Sequence, residues 1–90
     1  MSLLDLLGRR WVLRILWELQ QGPLTFRGLQ KQCDAMSPSV LNQRLRELRA
    51  AGIVEAASSG GYRLTPQGAQ LCRALAPLSA WAGRWKRARK

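Results

Sequence analysis

The sequence has no histidine, only five acidic residues and only two cysteines, and each scarcity removes a class of chemistry. Two cysteines without histidine cannot complete a typical structural zinc site. A Ser–His or Cys–His nucleophile pair is excluded for the same reason. Asp5, Glu18, Asp34, Glu47 and Glu55 are scattered and show no paired arrangement for acid–base work. No enzyme activity, metal site or cofactor is therefore expected. Cys33 and Cys72 are too few for a disulfide scaffold, which points to a cytoplasmic protein with reduced thiols. The first apolar stretch carries Asp5, Arg9, Arg10, Arg14 and Glu18, so it reads as neither a secretory signal nor a membrane span.

What is abundant is positive charge. Fifteen Lys and Arg against five acids leave a formal net charge of +10 in 90 residues. From Arg63 onward there are seven basic residues and no acid. Such an imbalance favours a polyanionic partner, nucleic acid before an anionic membrane surface, with simple solubility as the bland alternative. The apolar fraction of 47% suits a folded chain, and the length suits one domain.

Apolar spacing predicts a first helix from about Leu3 to Gln20, stopped by Gly22-Pro23. Thr25 is a candidate N-cap for a short second helix with Phe26, Leu29 and Cys33 on its apolar side. Ser37-Pro38 is a stronger start signal, a capping residue followed by a proline preset for the first turn. The third helix then runs to about Ala51 and ends at Gly52, burying Leu41, Leu45 and Leu48. At 3.6 residues per turn, Ser39, Gln43 and Arg46 lie opposite that stripe. Asn42 and Arg49 border that face on one side, Val40 and Glu47 on the other. Ile53–Ala57 and Tyr62–Thr65 read as two strands about the Ser58-Ser59-Gly60-Gly61 turn. Thr65-Pro66 opens a last helix with a stripe of Leu71, Leu75, Leu78, Ala82 and Trp85, Trp81 alongside. Pro77 predicts a kink or break near Ala74 to Pro77.

Helix, helix, helix, hairpin, helix is the order of a winged helix-turn-helix, mainly α with a small β-hairpin. The third helix, Ser37 to Arg49, is the one a major groove would admit. Arg46 suits guanine O6 and N7, and Gln43 suits adenine. Ser39 and Asn42 are short enough to reach a base edge or phosphate near the helix start. Arg44 and Arg49 lie toward the flanks and suit phosphates. Glu47 either accepts from cytosine or pairs with a neighbouring arginine. Ser37 at the helix start and Arg63, the one basic residue of the hairpin, complete the expected DNA contacts.

These residues also carry a resemblance. Leu6-Leu7-Gly8-Arg9-Arg10-Trp11, Ile15-Leu16-Trp17-Glu18-Leu19 and Gly22-Pro23-Leu24-Thr25-Phe26 resemble the opening of the HxlR-type regulators of the MarR-like superfamily. Leu41-Asn42-Gln43-Arg44-Leu45-Arg46-Glu47-Leu48 with Gly52-Ile53-Val54 is similar to their recognition helix and its exit. Tyr62-Arg63-Leu64-Thr65-Pro66-Gln67-Gly68 resembles the junction after their wing. The resemblance covers nearly the whole chain and implies a prokaryotic transcription regulator, homodimeric through its terminal helices. By position, Gln43, Arg44 and Arg46 match the family's recognition segment. Two departures stand out. Members commonly carry a cysteine shortly before the first helix, linked in some to sensing electrophiles, and Met1-Ser2-Leu3 has none. Their wing usually has a longer loop containing Pro and Arg, which the Ser/Gly turn here replaces.

Four tryptophans are many for a small core. Trp11 is expected to pack inside. Leu4, Leu7, Leu75, Leu78, Trp81 and Trp85 are expected to line a two-fold interface. Residues 1–85 are read as one domain with dimerisation helices at both ends, and residues 86–90 as a frayed basic tail, either touching phosphates or solvated. The expected partners are double-stranded DNA in the nucleoid and a second copy, with no membrane; the effector is left open. The alternative is a winged-helix interaction or adaptor module without specific DNA binding. Membrane-surface binding by the last helix is weaker, because it leaves the wing topology unexplained.

Overall fold

The computed structural model describes residues 2–89. Its elements are α1 (Leu3–Leu7), α2 (Val12–Leu19), α3 (Phe26–Gln32), α4 (Pro38–Ala50), β1 (Val54–Ala56), β2 (Tyr62–Leu64) and α5 (Pro66–Ala88). The expected order is present, with one correction at the start. The stretch read as a single first helix is two helices separated by a turn at Gly8–Trp11. Ser2 and Asp5 form a capping box on α1, and Gly8 closes it with its N–H donating to the Leu4 carbonyl. Trp11 then takes a left-handed conformation at φ 79°, a costly one for a residue with a Cβ. The reversal lets Leu6 reach the core while Leu7 and Trp11 pack against it. Apolar periodicity missed the break because the spacing on either side of these four residues stays in phase.

α2 touches α1, α3, α5 and β2, and its Val12, Ile15, Leu16 and Leu19 are buried at the centre of the molecule. Around them lie Leu29, Cys33 and Met36, then Leu41, Leu45 and Leu48 of α4, then Ile53 and Val54. Arg14 holds the next piece in place. Its guanidinium pairs with Glu18 at 2.8 Å and donates to the Gln32 carbonyl at the end of α3 at 2.6 Å. That carbonyl is one of those a helix end leaves without an internal partner.

The hairpin pairs Val54 with Leu64, Glu55 with Arg63 and Ala56 with Tyr62, antiparallel. Leu24 adds a single bridge to its free edge, exchanging both backbone hydrogen bonds with Tyr62 at 3.0 and 2.8 Å. A one-residue bridge has no alternation to detect, so it left no sequence signal. Thr65 joins the hairpin to α5. Its hydroxyl donates to the Gly52 carbonyl at 2.6 Å and accepts from the Gly68 N–H at 3.0 Å. A Cβ at Gly68 would meet the Ile53 carbonyl, which explains a glycine in the first turn of a long helix.

Two corrections concern α5. The helix is continuous from Pro66 to Ala88 with Pro77 inside it. The hydrogen bond that Pro77 cannot donate would have gone to the Arg73 carbonyl, and both residues are exposed, so water can replace it. Lys86 and Arg87 are helical and Arg89 is the C-cap, so the expected tail continues the helix; Lys90 lies outside the described residues.

The turn of the hairpin offers a stability test. Gly60 and Gly61 sit at φ 91° and 88°, but only at Gly61 would a Cβ run into backbone, that of Leu24 and Thr25. Gly60→Ala should cost about 1 kcal/mol from conformation alone. Gly61→Ala should cost clearly more in urea unfolding; equal losses would mean that the Leu24 edge yields freely.

Candidate nucleic-acid interface

α3 and α4 form a helix-turn-helix through a tight connection. Asp34 and Ala35 both adopt left-handed conformations, at φ 58° and 57°. The Ala35 N–H donates to the Gln30 carbonyl at 2.9 Å, and the Gln30 side chain donates to the Met36 carbonyl at 3.0 Å. Buried Met36 anchors the turn from below.

Leu41, Leu45 and Leu48 are fully enclosed, which fixes the rotation of α4 about its axis. Ser39, Asn42, Gln43, Arg46 and Arg49 are exposed, as the helical wheel requires. The side chains of Asn42, Gln43, Arg46 and Arg49 have no hydrogen-bond or ion-pair partner among the described residues. Ser37 occupies the N-cap position but does not cap with its side chain; its hydroxyl pairs with that of Ser39 at 3.0 Å. The helix start therefore lacks the expected side-chain cap, and its first N–H groups are left without a side-chain partner there.

Two of the expected contact residues are engaged elsewhere. Arg44 donates from Nε to the Arg10 carbonyl at 2.9 Å and from Nη1 to Glu47 at 3.0 Å, and its side chain is only 16% exposed. It is a strut between α4 and the α1–α2 turn. Arg63 of the hairpin pairs with Glu55 opposite it at 2.8 Å, so the wing presents no unpaired basic residue. Of the two readings of Glu47, the ion pair is the one observed, with Arg9 as its second partner at 3.3 Å.

Two further candidates were not singled out from sequence. Arg27 and Lys31 lie one helical turn apart on the exposed side of α3. In this motif the helix before the turn crosses the DNA backbone, and two cations at i and i+4 opposite Leu29 and Cys33 would have been the signal.

The acids now have an account. Asp5 serves the α1 cap, Glu18 and Asp34 face Arg14, Glu47 faces Arg9 and Arg44, and Glu55 faces Arg63. The positive excess is left on α3, α4 and α5, with Arg10 in the α1–α2 turn.

The residues expected at a two-fold interface divide by burial. Leu4 is 80% exposed and Leu78, Trp81 and Trp85 about half exposed, whereas Leu7 and Leu75 pack against the core. Trp81 and Trp85 stack at 6.0 Å. Leu13 and Trp17 of α2 are further exposed apolar residues, lining with Leu75 and Leu78 a groove of about 490 Å³ between α2 and α5. No helix of the described residues is long and apolar enough to cross a membrane.

The helix-turn-helix followed by a two-stranded hairpin defines a winged-helix protein. The sequence profile of the HxlR-like helix-turn-helix family matches residues 6–90, and the chain belongs to that family. It is 33% identical to the uncharacterized HTH-type transcriptional regulator YvaP of Bacillus subtilis over 87 residues, covering 90% of this chain and 81% of the relative. The crystal structure of quinone-bound YodB from B. subtilis superposes with a TM-score of 0.81 at 34% identity, covering 89% and 90% of the two chains. That of a possible HxlR family transcriptional factor from Thermoplasma volcanium superposes at 0.84 with 26% identity, covering 97% and 84%. The resemblance stated from sequence is thus confirmed at the level of family and fold. The family is one of helix-turn-helix proteins, and the relatives it shares with this chain are named as regulators of transcription.

Both cysteines are buried, and burial pushes both thiols up. Arg14 partly opposes this at Cys33 and Gln20 at Cys72. A raised thiol pKa favours the neutral form in the fold. The associated stability is fully present below the unfolded thiol's pKa and is lost as pH rises toward the folded value. Native protein should therefore react with iodoacetamide far more slowly than urea-unfolded protein at neutral pH. Equal rates would show that a thiol is open to reagents in the fold.

Proposed function

We propose that the protein is a homodimeric, sequence-specific regulator of transcription that lays α4 in the major groove of double-stranded DNA. The observation that carries this reading is the outward face of α4. Its opposite face is locked into the core, and Ser39, Asn42, Gln43 and Arg46 stand outward, with both long side chains unpartnered among the described residues. A helix held by its back and polar on its front is what direct readout needs. Arg46 reads guanine, Gln43 reads adenine, and Ser39 and Asn42 serve base edges or phosphates near the helix start. Arg49 holds phosphate on one flank, and Arg27 and Lys31 of α3 hold the backbone across the groove. Arg44 acts through the fold, and the wing adds little because Glu55 occupies Arg63.

Dimerisation rests on the apolar surface left uncovered at both ends of the chain. Leu4 of α1 and Leu78, Trp81 and Trp85 of α5 are large apolar side chains left exposed, the kind of surface that the core of an interface takes up. A two-fold pair built on α1 and α5, with Leu7 and Leu75 at its margin, would present two α4 helices about one DNA turn apart. Being tied to DNA, the protein would act in the cytoplasm on the nucleoid.

Selection of bound duplexes from a random pool should enrich a palindrome with half-site centres about 10–10.5 base pairs apart. On that site Arg46→Ala should lose about 1–3 kcal/mol of discrimination at one base pair per half-site. Equal losses on the selected site and on random duplex would contradict a base-reading role.

Leu78→Asp with Trp81→Asp should give a folded monomer by sedimentation, since neither side chain belongs to the buried core. A dimer that persists in this double variant would place the interface elsewhere.

A further inference from the structure

We infer that Glu47 is a positioning residue that fixes α1 against α4, and so sets the distance and rotation between the two recognition helices of a dimer. The inference rests on the dimeric DNA-binding reading above. It begins from a clasp that base readout does not use. One Glu47 oxygen accepts from Arg44 Nη1 at 3.0 Å, and the other lies 3.3 Å from Arg9 Nε. Arg44 in turn donates to the Arg10 carbonyl at 2.9 Å. Three side chains and one carbonyl thus tie the third turn of α4 to the Gly8–Trp11 turn. Glu47 and Arg44 are both mostly shielded from water, at 15% and 16% side-chain exposure, where a charged pair is weakened little by salt.

The clasp sits at a place with two sides. Toward the core, Glu47 shares its helix with buried Leu45 and Leu48. Toward α1, it borders a shallow groove with Leu3, Leu6, Ala50, Ala51 and Ile53. α1 itself is five residues long, and its Leu4, which does not line that groove, is exposed. A helix that short, joined through a left-handed Trp11, has few contacts of its own to set its angle. The ion pairs supply what the packing does not. If α1 is half of the dimer seam, the clasp is the rigid link between that seam and α4.

The test uses Glu47→Gln and Arg9→Gln in the full chain. Neither residue contributes to the face of α4 assigned to base reading, and Arg9 is a partly exposed turn residue whose loss the fold should bear. Wild type and variants are titrated with an isolated half-site and with paired half-sites whose spacer is varied by one base pair. One base pair moves a half-site by about 3.4 Å and roughly a tenth of a turn, so wild type should lose at least about tenfold in affinity when the spacer changes. Both variants should bind the half-site within about twofold of wild type yet lose less than about threefold on respacing. Their effects should not add, because both open one network.

Amide exchange of the free protein provides a reading without DNA. The Arg9 and Val12 amides, which bond to Leu6 and Arg9 carbonyls, should exchange at least about fivefold faster in both variants while those of central α2 are unchanged. An unaltered spacing profile, an equal loss on half-site and paired site, or unaltered exchange would each overturn the proposal. Absence of any paired-site preference in wild type would instead refute the dimeric reading, and exchange would still decide whether the clasp holds α1.

Discussion

The burial of Leu41, Leu45 and Leu48 is the constraint on which the rest of the molecule depends. A helix with three enclosed leucines on one side cannot rotate without exposing them, at about 1.5–3 kcal/mol for each side chain. That fixes which residues face outward. It also sets where the chain must go next, because Ile53 and Val54 continue the same core and turn the hairpin back across it. Thr65 and Gly68 then hold α5 against the Ile53 backbone, so the long helix departs in one direction only.

Electrostatics divides the chain into two populations of cations. Arg9, Arg14, Arg44 and Arg63 are consumed by four of the five acids, Glu18, Asp34, Glu47 and Glu55, and by backbone carbonyls at helix ends and turns. They are structural despite being charged. The others among the described residues stay at the surface, and Arg27, Lys31, Arg46 and Arg49 lie on the two helices of the helix-turn-helix motif. Scarcity of acid therefore matters twice. It leaves a field that attracts a polyanion, and every carboxylate but Asp5, which caps α1, is spent on fixing an arginine. The same division weakens the wing, whose one arginine is held by Glu55.

The order of elements, the Thr25 and Thr65 caps and the buried stripe of α4 were legible in the sequence because each has a local signature in spacing or in a capping residue. Arg46 and Gln43 were placed outward by the wheel alone. The Gly8–Trp11 turn was not legible, since the apolar pattern stays in phase across it and a left-handed tryptophan follows no local preference. Pro77 misled in the opposite direction: its missing bond falls where water can serve, so α5 runs through it. The roles of Arg44 and Arg63 were beyond reach for another reason, and for Glu47 the same reason left two readings open, of which the ion pair is observed. A charge reads the same in sequence whether it faces DNA or an acid brought near by folding.

The central claim is that the outward face of α4 is the surface that DNA covers. Backbone amide shift mapping of the isotope-labelled protein with its selected duplex tests it most directly. The account predicts the largest changes at Ser39, Asn42, Gln43, Arg46 and Arg49, with smaller ones at Arg27 and Lys31. Changes confined to the basic end of α5, from Arg84 to Arg89, with α4 unmoved, would contradict it.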